Sequence, residues 1–248
     1  GSMNEETALV IANLQRFYAS LSTFADTQVT LVMDQGVANQ NKLVLSGSKQ
    51  KLVPQVIDSN NGPALVLDLL DPSTKDGQGS NGVLLRNTLR ANAQPVFLFV
   101  TDDNAWEDCS FFAIGFGACR YNYARSQADL YAASLLKDLK KFLPGRSPVI
   151  DGIIGHRNMS LSNLPSCNTS AATGYFYIEA SKQSGGNVWS ICLQNWTELF
   201  DDIANNLRVT FASGYDLPSD FASIVSILID DKELLVRAYR RFLKDYEV

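Results

Sequence analysis

Four acidic residues follow the most apolar stretch of the chain. Asp102 and Asp103 come directly after residues 95–101, and Glu107 and Asp108 come a few residues later. In an open α/β sheet, ligands bind outside the carboxyl ends of the strands. Carboxylates in that position could hold a hard cation such as Mg²⁺, which takes oxygen ligands in octahedral geometry. A solvated acidic turn is the alternative, because aspartates are common in turns after strands.

The elements that must position these acids alternate between strand and helix. Short runs of strand-forming residues predict strands, and apolar residues at helical spacing predict helices. The predicted strands are residues 29–33, 51–57, 95–101, 149–154 and 188–191. The predicted helices are residues 5–24, 63–70, 128–142, 175–184 and 196–207. This alternation predicts an α/β fold with a doubly wound, mainly parallel sheet, in which strands 95–101 and 149–154 are adjacent and buried on both faces.

The pattern changes after residue 207. Residues 208–212, 222–230 and 233–239 are typical of strands separated by turns. They predict an antiparallel β extension over residues 208–248, packed on an α/β domain of residues 4–207.

Charge and composition exclude several classes of function. The net charge is −5, and 46% of the residues are hydrophobic, which suits a folded domain with a sizeable core. An acidic surface repels phosphate backbones, so no nucleic-acid partner is expected. No apolar run approaches the ~18 residues that span a bilayer, so no transmembrane segment is expected in this chain.

The four cysteines indicate disulfides more than metal binding. No C-x-x-C pair occurs among the four cysteines, which are Cys109, Cys119, Cys167 and Cys192. Because His156 is the only histidine, a structural zinc site is not expected. An even count without metal spacing points to two disulfides and an oxidising compartment. Four buried free thiols are the alternative, and four cysteines allow three pairings.

Four segments, in order, resemble von Willebrand factor A (vWA)-like domains of exported bacterial proteins. Residues 99–110, which contain FVTDD and then EDCS, resemble the family's "VSDEDDCS" segment. Residues 83–86 resemble its "FLR" lead-in, and residues 131–155 resemble its helix followed by an "AIVG" strand. Residues 177–196 resemble its "RYIEVA…TGG…SICDPDW" segment. The resemblance covers residues 83–207 well and residues 4–70 loosely.

The resemblance implies a non-enzymatic protein-binding or adhesion module with a metal-ion-dependent adhesion site for Mg²⁺. Asp102 matches the aspartate of the third metal-site loop, and Ser59 is a weak match for the hydroxyl of the second. The family's D-x-S-x-S motif and its first strand have no counterpart, so we expect a degenerate or truncated site. Gly1, Ser2 and Met3 are either vector-derived or native, and in the native case Ser2 is the second serine of that motif.

The same resemblance implies an exported protein in the periplasm, on the outer membrane surface or outside the cell, with a lipid anchor upstream of this chain. It also implies disulfides Cys109–Cys119 and Cys167–Cys192, which would staple loops on the face that binds a protein ligand.

Two other functions compete with a binding module. A metal-dependent hydrolase would use Asp102, Asp103, Glu107 and Asp108 around one or two ions. A structural component of an envelope assembly would dock through its C-terminal strands. His156 follows strand 149–154 at the same predicted edge, but a hydrogen-bonded loop histidine is expected there because no nucleophile motif accompanies it.

Overall fold

Parallel strands form two small sheets in the computed structural model. The structure describes residues 4–57, 61–73, 84–91, 93–107, 121–122, 126–157 and 167–213. The chain divides into two compact units, residues 1–204 and 205–248. Every residue of the candidate site described below belongs to the first unit.

Helices and strands alternate along the described residues, much as the periodicity predicts. The helices are α1 (Asn4–Ser22), α2 (Gln35–Gln40), α3 (Gly62–Leu70), α4 (Ala128–Phe142), α5 (Tyr175–Ser184) and α6 (Trp196–Ser213), with a short 3₁₀ helix at Leu85–Asn87. The strands are β1 (Val29–Met33), β2 (Gln50–Pro54), β3 (Val96–Thr101), β4 (Trp106–Glu107), β5 (Tyr121–Asn122), β6 (Val149–Ile154) and β7 (Val188–Ser190).

The strand order confirms that β3 and β6 are neighbours. β1 and β2 pair in parallel, and a second parallel sheet has the order β3-β6-β7. β3 and β6 run in register from Val96 opposite Val149 to Thr101 opposite Ile154. β4 and β5 form a short antiparallel pair. The fold is therefore mixed α/β with parallel strands, and the single doubly wound sheet remains a prediction.

One hydrophobic core joins both sheets to three helices. Most of its buried side chains come from β2, α3, β3, α4, β6 and α5, and the others are Leu84, Leu85, Ala105 and Leu143. In α4, Ala132, Leu135 and Leu139 recur on one helix face, and all three are buried. Burial of each leucine side chain contributes roughly 1.5–3 kcal/mol. The core thus fixes β3 and β6 against α4 and α5, and this packing determines where the carboxyl ends of these strands lie.

The predicted burial of both central strands is right for β6 and wrong for β3. All six residues of β6 are buried. In β3 only Phe97 and Thr101 are buried, and the other four residues are half-buried. The reason is their place in the sheet. β6 lies between two strands, whereas in the described part of the chain the sheet order ends at β3.

The predicted β extension is wrong over its first residues. Residues 208–213 belong to α6, which continues as a helix to Ser213. Val209, Thr210 and Phe211 are strand formers, but local propensity is a weak preference that an established helix overrides. The rest of the extension lies outside the described residues.

A buried aspartate in the middle of β6 holds the turn before β7. Asp151 is 1% exposed, and its Oδ1 accepts a hydrogen bond from the Asn187 amide at 2.7 Å. Gly185 ends α5 with a left-handed φ of 77°, and a Cβ on Gly186 would overlap the Ile150 carbonyl oxygen. Burial raises the pKa of Asp151 to about 6, although the hydrogen bond from Asn187 opposes this shift.

The Asp151 carboxyl should make stability fall as pH rises. Below the pKa of the unfolded state, about 3.9, both states are protonated. Between that value and about 6 the unfolded chain releases its proton first, so the folded state loses up to about 3 kcal/mol of stability. Asp151→Asn keeps the acceptor oxygen and should remove this slope. Urea unfolding from pH 4 to 7 measures it.

The matched control is Asp129→Asn, which removes an exposed carboxylate from α4. It should leave the slope between pH 4 and 6 as in the wild type. Equal slopes in the wild type and Asp151→Asn would contradict the assignment.

Candidate functional site

The carboxyl ends of β3, β6 and β7 meet at one edge of the sheet. Thr101 lies opposite Ile154, and Ile154 lies opposite Ser190, so the three strands end at the same level. We call this region the carboxyl edge. It consists of residues 102–104, 155–156, 167–174 and 191–192. Parallel strands place it where α/β sheets bind ligands.

Close backbone contacts interlock the loops of the carboxyl edge. The Gly155 amide donates to the Thr101 carbonyl at 2.9 Å, and the Ala172 amide donates to the Asp102 carbonyl at 3.1 Å. A Cβ on Gly155 would lie 2.6 Å from the Ser170 Cβ and 2.7 Å from the Asp102 carbonyl oxygen. Only glycine fits here, and the interlock holds the Asp102 backbone in place.

A disulfide joins the loop after β6 to the loop after β7. Cys167 and Cys192 are bonded with their Cα atoms 5.9 Å apart, which is the pairing that the resemblance implies for them. His156 is fully buried, and its Nε2 lies 2.5 Å from the Ser190 Oγ. That Oγ also accepts a hydrogen bond from the Cys192 amide at 3.1 Å. His156 is therefore a buried, hydrogen-bonded residue without surface for a substrate in solution.

Asp102 is a buried carboxylate, so the solvated-turn alternative is wrong for this residue. It is 5% exposed, and its Oδ1 has no hydrogen-bond partner among the described residues. Asp34 follows β1 in the same way, but its Oδ1 accepts a hydrogen bond from the Val37 amide at 3.0 Å and caps α2. Buried polar atoms without a partner are uncommon in folded proteins, and among the described residues Asp102 shares this feature with Glu6, Gln55, Arg146, Asp151 and Ser181.

The residues after Asp102 are engaged in local hydrogen bonds. The Asp103 carboxylate accepts from the Asn104 amide at 2.7 Å, and the Asn104 Oδ1 accepts from the Phe176 amide at 3.1 Å. Asn104 thereby ties the carboxyl edge to the first turn of α5. Of these three consecutive polar residues, only Asp102 has a buried side-chain oxygen that is left unsatisfied.

A second carboxylate with a buried, unsatisfied oxygen belongs to α1. Glu6 lies in the first turn of α1, and its Oε2 is buried without a hydrogen-bond partner in the described part of the chain. Burial raises the pKa of Glu6, and the negative charges of Asp102 and Glu5 raise it further, against the effect of a backbone hydrogen bond. The sequence does not single out Glu6, because acidic residues are common in the first turn of any helix.

Contacts with α6 hold α1 in position. The Thr197 hydroxyl donates to the Asn13 Oδ1 at 3.0 Å, and the Phe17 and Phe200 rings lie 5.1 Å apart. Arg16 adds an exposed ion pair with Asp201. The amino end of α1 is therefore held by the packing further along the helix.

The remaining predicted site residues lie outside the described part of the chain. Ser2, Ser59, Cys109, Cys119 and Asp108 are among them, and of Glu107 only the backbone, in β4, is described. The hydroxyl ligands and the Cys109–Cys119 disulfide therefore remain predictions. Among the described residues, no group of three or more His, Cys, Asp or Glu side chains could hold a metal ion.

Comparisons with protein-family models, with curated proteins and with solved structures find no match to this chain. In the described ranges, none of the helices combines the length and the apolar character needed to span a membrane.

Replacement of both cysteines by serine in Cys167→Ser/Cys192→Ser should destabilise the protein. The two cysteines lie 25 residues apart in sequence. In the chain-entropy model, a disulfide that closes a loop of this length raises the free energy of unfolding by about 3–4 kcal/mol. Denaturant unfolding of the oxidised wild type and the double variant measures the difference. If alkylation of denatured, unreduced wild-type protein labels both residues, the disulfide does not form.

Proposed function

We propose that this chain is a vWA-like, non-enzymatic protein-binding module of the bacterial cell envelope, and that the carboxyl edge is its binding surface. One observation carries the proposal. The resemblance assigns Asp102 to the third metal-site loop, and the Asp102 side chain is buried with a carboxylate oxygen that lacks a partner among the described residues.

The unsatisfied carboxylate suits a site completed by a bound ion. A buried donor or acceptor left unsatisfied costs about 1–3 kcal/mol, and more when it is charged. A divalent cation would remove this penalty. Asp102 would hold Mg²⁺, and the hydroxyls of Ser59 and Ser2 are the further ligands that the resemblance predicts. The ion supplies a positive charge at the edge, where a carboxylate of the protein ligand would complete its coordination.

The disulfide supports an exported location. A bond between Cys167 and Cys192 persists in an oxidising compartment and is uncommon in the cytosol. We therefore propose the periplasm, the outer membrane surface or the extracellular space, with the lipid anchor upstream that the resemblance implies. The net charge of −5 supports a protein partner over a nucleic acid.

Among the described residues no contact favours the hydrolase, and the side chains of its expected ligands Glu107 and Asp108 are not described. One carboxylate oxygen of the expected ligand Asp103 accepts a hydrogen bond from the Asn104 amide. The His156 side chain has no exposed surface. A protein-binding edge needs neither of them as a catalytic group.

Site-specific photo-cross-linking in the cells that make this protein tests the binding surface. A photoreactive residue placed at Asn168 or Gln194, both exposed on or beside the carboxyl edge, should capture a defined protein partner. The same residue at Gln94 or Ser147, exposed near the opposite ends of the strands, should not. Adducts should disappear in Asp102→Ala, which removes the carboxylate.

Two results would contradict the proposal. Equal adducts from both ends of the strands would place the partner elsewhere. Mg²⁺-dependent ester or phosphate hydrolysis that is lost in Asp102→Ala would favour the hydrolase. Circular dichroism of Asp102→Ala should match that of the wild type, so that loss of adducts reports the site and not the fold.

A further inference from the structure

The disulfide of the carboxyl edge has two unequal ends. Cys167 is buried, at 3% exposed, whereas Cys192 is an exposed residue. The contact of the Cys192 Sγ with the Thr169 side chain also lies at the exposed surface. In thiol–disulfide exchange the incoming thiolate must reach one sulfur of the bond, and access decides which of the two it attacks. The Cys192 end offers that access, and the Cys167 end does not.

One hydroxyl lies within hydrogen-bonding distance of both sulfurs. The Thr169 Oγ1 is 3.1 Å from the Cys192 Sγ and 3.8 Å from the Cys167 Sγ. Attack on one sulfur of a disulfide places negative charge on the other, which departs as a thiolate. A hydrogen bond donated to a charged form stabilises that form. Thr169 is therefore placed to assist the departure of the buried Cys167 sulfur.

The two loops that the disulfide joins are anchored differently. In the loop after β6, the Ala172 amide donates to the Asp102 carbonyl, which belongs to the segment after β3. In the loop after β7, the Cys192 amide donates to the Ser190 Oγ, and the Leu193 amide donates to the Ser190 carbonyl. Both of these bonds return to the end of the same strand. Cleavage of the disulfide should therefore free the loop after β7, while the loop after β6 stays in place.

We propose that this disulfide is a redox switch of the carboxyl edge, which small thiols open by attacking Cys192 in the folded protein. The thiolate bonds to the Cys192 Sγ as the bond between the two cysteine sulfurs breaks, and the electron pair leaves on the Cys167 Sγ. That thiolate takes up the proton which the incoming thiol released to water.

A second small thiol completes the reduction. Its thiolate attacks the small-thiol sulfur of the mixed disulfide and releases Cys192 as a thiolate, which is protonated in the same way. Two small thiols are thereby oxidised to one disulfide, and the protein disulfide is reduced to two thiols. The reaction needs no ligand at the carboxyl edge, so it goes beyond the proposed function and does not depend on it.

Sulfite identifies the sulfur that is attacked. It cleaves a disulfide as a thiolate does, but it leaves one stable S-sulfonated cysteine and one thiol. In the folded, oxidised wild type, S-sulfonation should favour Cys192 over Cys167 by about tenfold or more, because access differs. In urea this preference should disappear. Peptide mass spectrometry measures both yields, and S-sulfonation mainly at Cys167, or cleavage in urea alone, would overturn the inference.

Reduction of the folded protein by dithiothreitol tests the hydroxyl. Thr169→Val keeps the shape of the side chain and should be reduced about fivefold more slowly than the wild type, the effect of one ordinary hydrogen bond. Thr169→Ser keeps the hydroxyl and is the matched control, which should react as the wild type does. Thr169 is exposed, so neither change disturbs the core. Equal rates for Thr169→Val and the wild type would overturn the role of Thr169.

Hydrogen exchange in short labelling pulses shows what the switch releases. Reduction of the wild type should speed exchange at the Cys192 and Leu193 amides and leave the Ala172 amide and β6 protected. Unchanged exchange at Cys192 and Leu193 would overturn the inference. Loss of protection throughout β6 would also overturn it, because reduction would then unfold the sheet instead of opening one loop.

Discussion

Complete burial of β6 is the constraint on which the rest of the first unit depends. All six of its residues are buried, with β3 on one side, β7 on the other and α5 packed against it. Even the Asp151 carboxyl is enclosed, and its burial is unfavourable. Its hydrogen bond with the Asn187 amide fixes the turn that aligns β7. The alignment of three strand ends at one edge follows from this single enclosed strand.

The same enclosure explains why charge at the carboxyl edge matters. Loops packed as tightly as Gly155 against the Asp102 carbonyl leave little room for water beside the Asp102 side chain. Electrostatic interactions are stronger where solvent is excluded. A carboxylate buried there without a partner is therefore a more informative feature than an exposed acidic turn, even though the two look alike in the sequence.

The local sequence pattern predicts most of the helices and strands, but it does not predict the whole candidate site. Residues 128–142 and 175–184 have helical spacing and clear stops, and the structure has helices with those bounds. The strand prediction at residues 208–212 is wrong, because Val209 and Thr210 favour strands but α6 continues through them to Ser213. Asp102 at a strand end is foreseeable, since parallel strands share one edge. The burial of Glu6 is not foreseeable, because acidic residues are common in the first turn of any helix.

β3 has a consequence for the behaviour of the protein in concentrated solution. Its six residues, VFLFVT, contain no charge and no proline, and the sheet order of the described residues ends there. Short uncharged segments of strand formers are the kind that stack into cross-β ribbons, and sheet edges template such stacking. β6 contains one acidic residue, Asp151, and lies between its two neighbouring strands. Self-association of this chain should therefore begin at β3, and its colloidal behaviour should depend on whatever covers that strand.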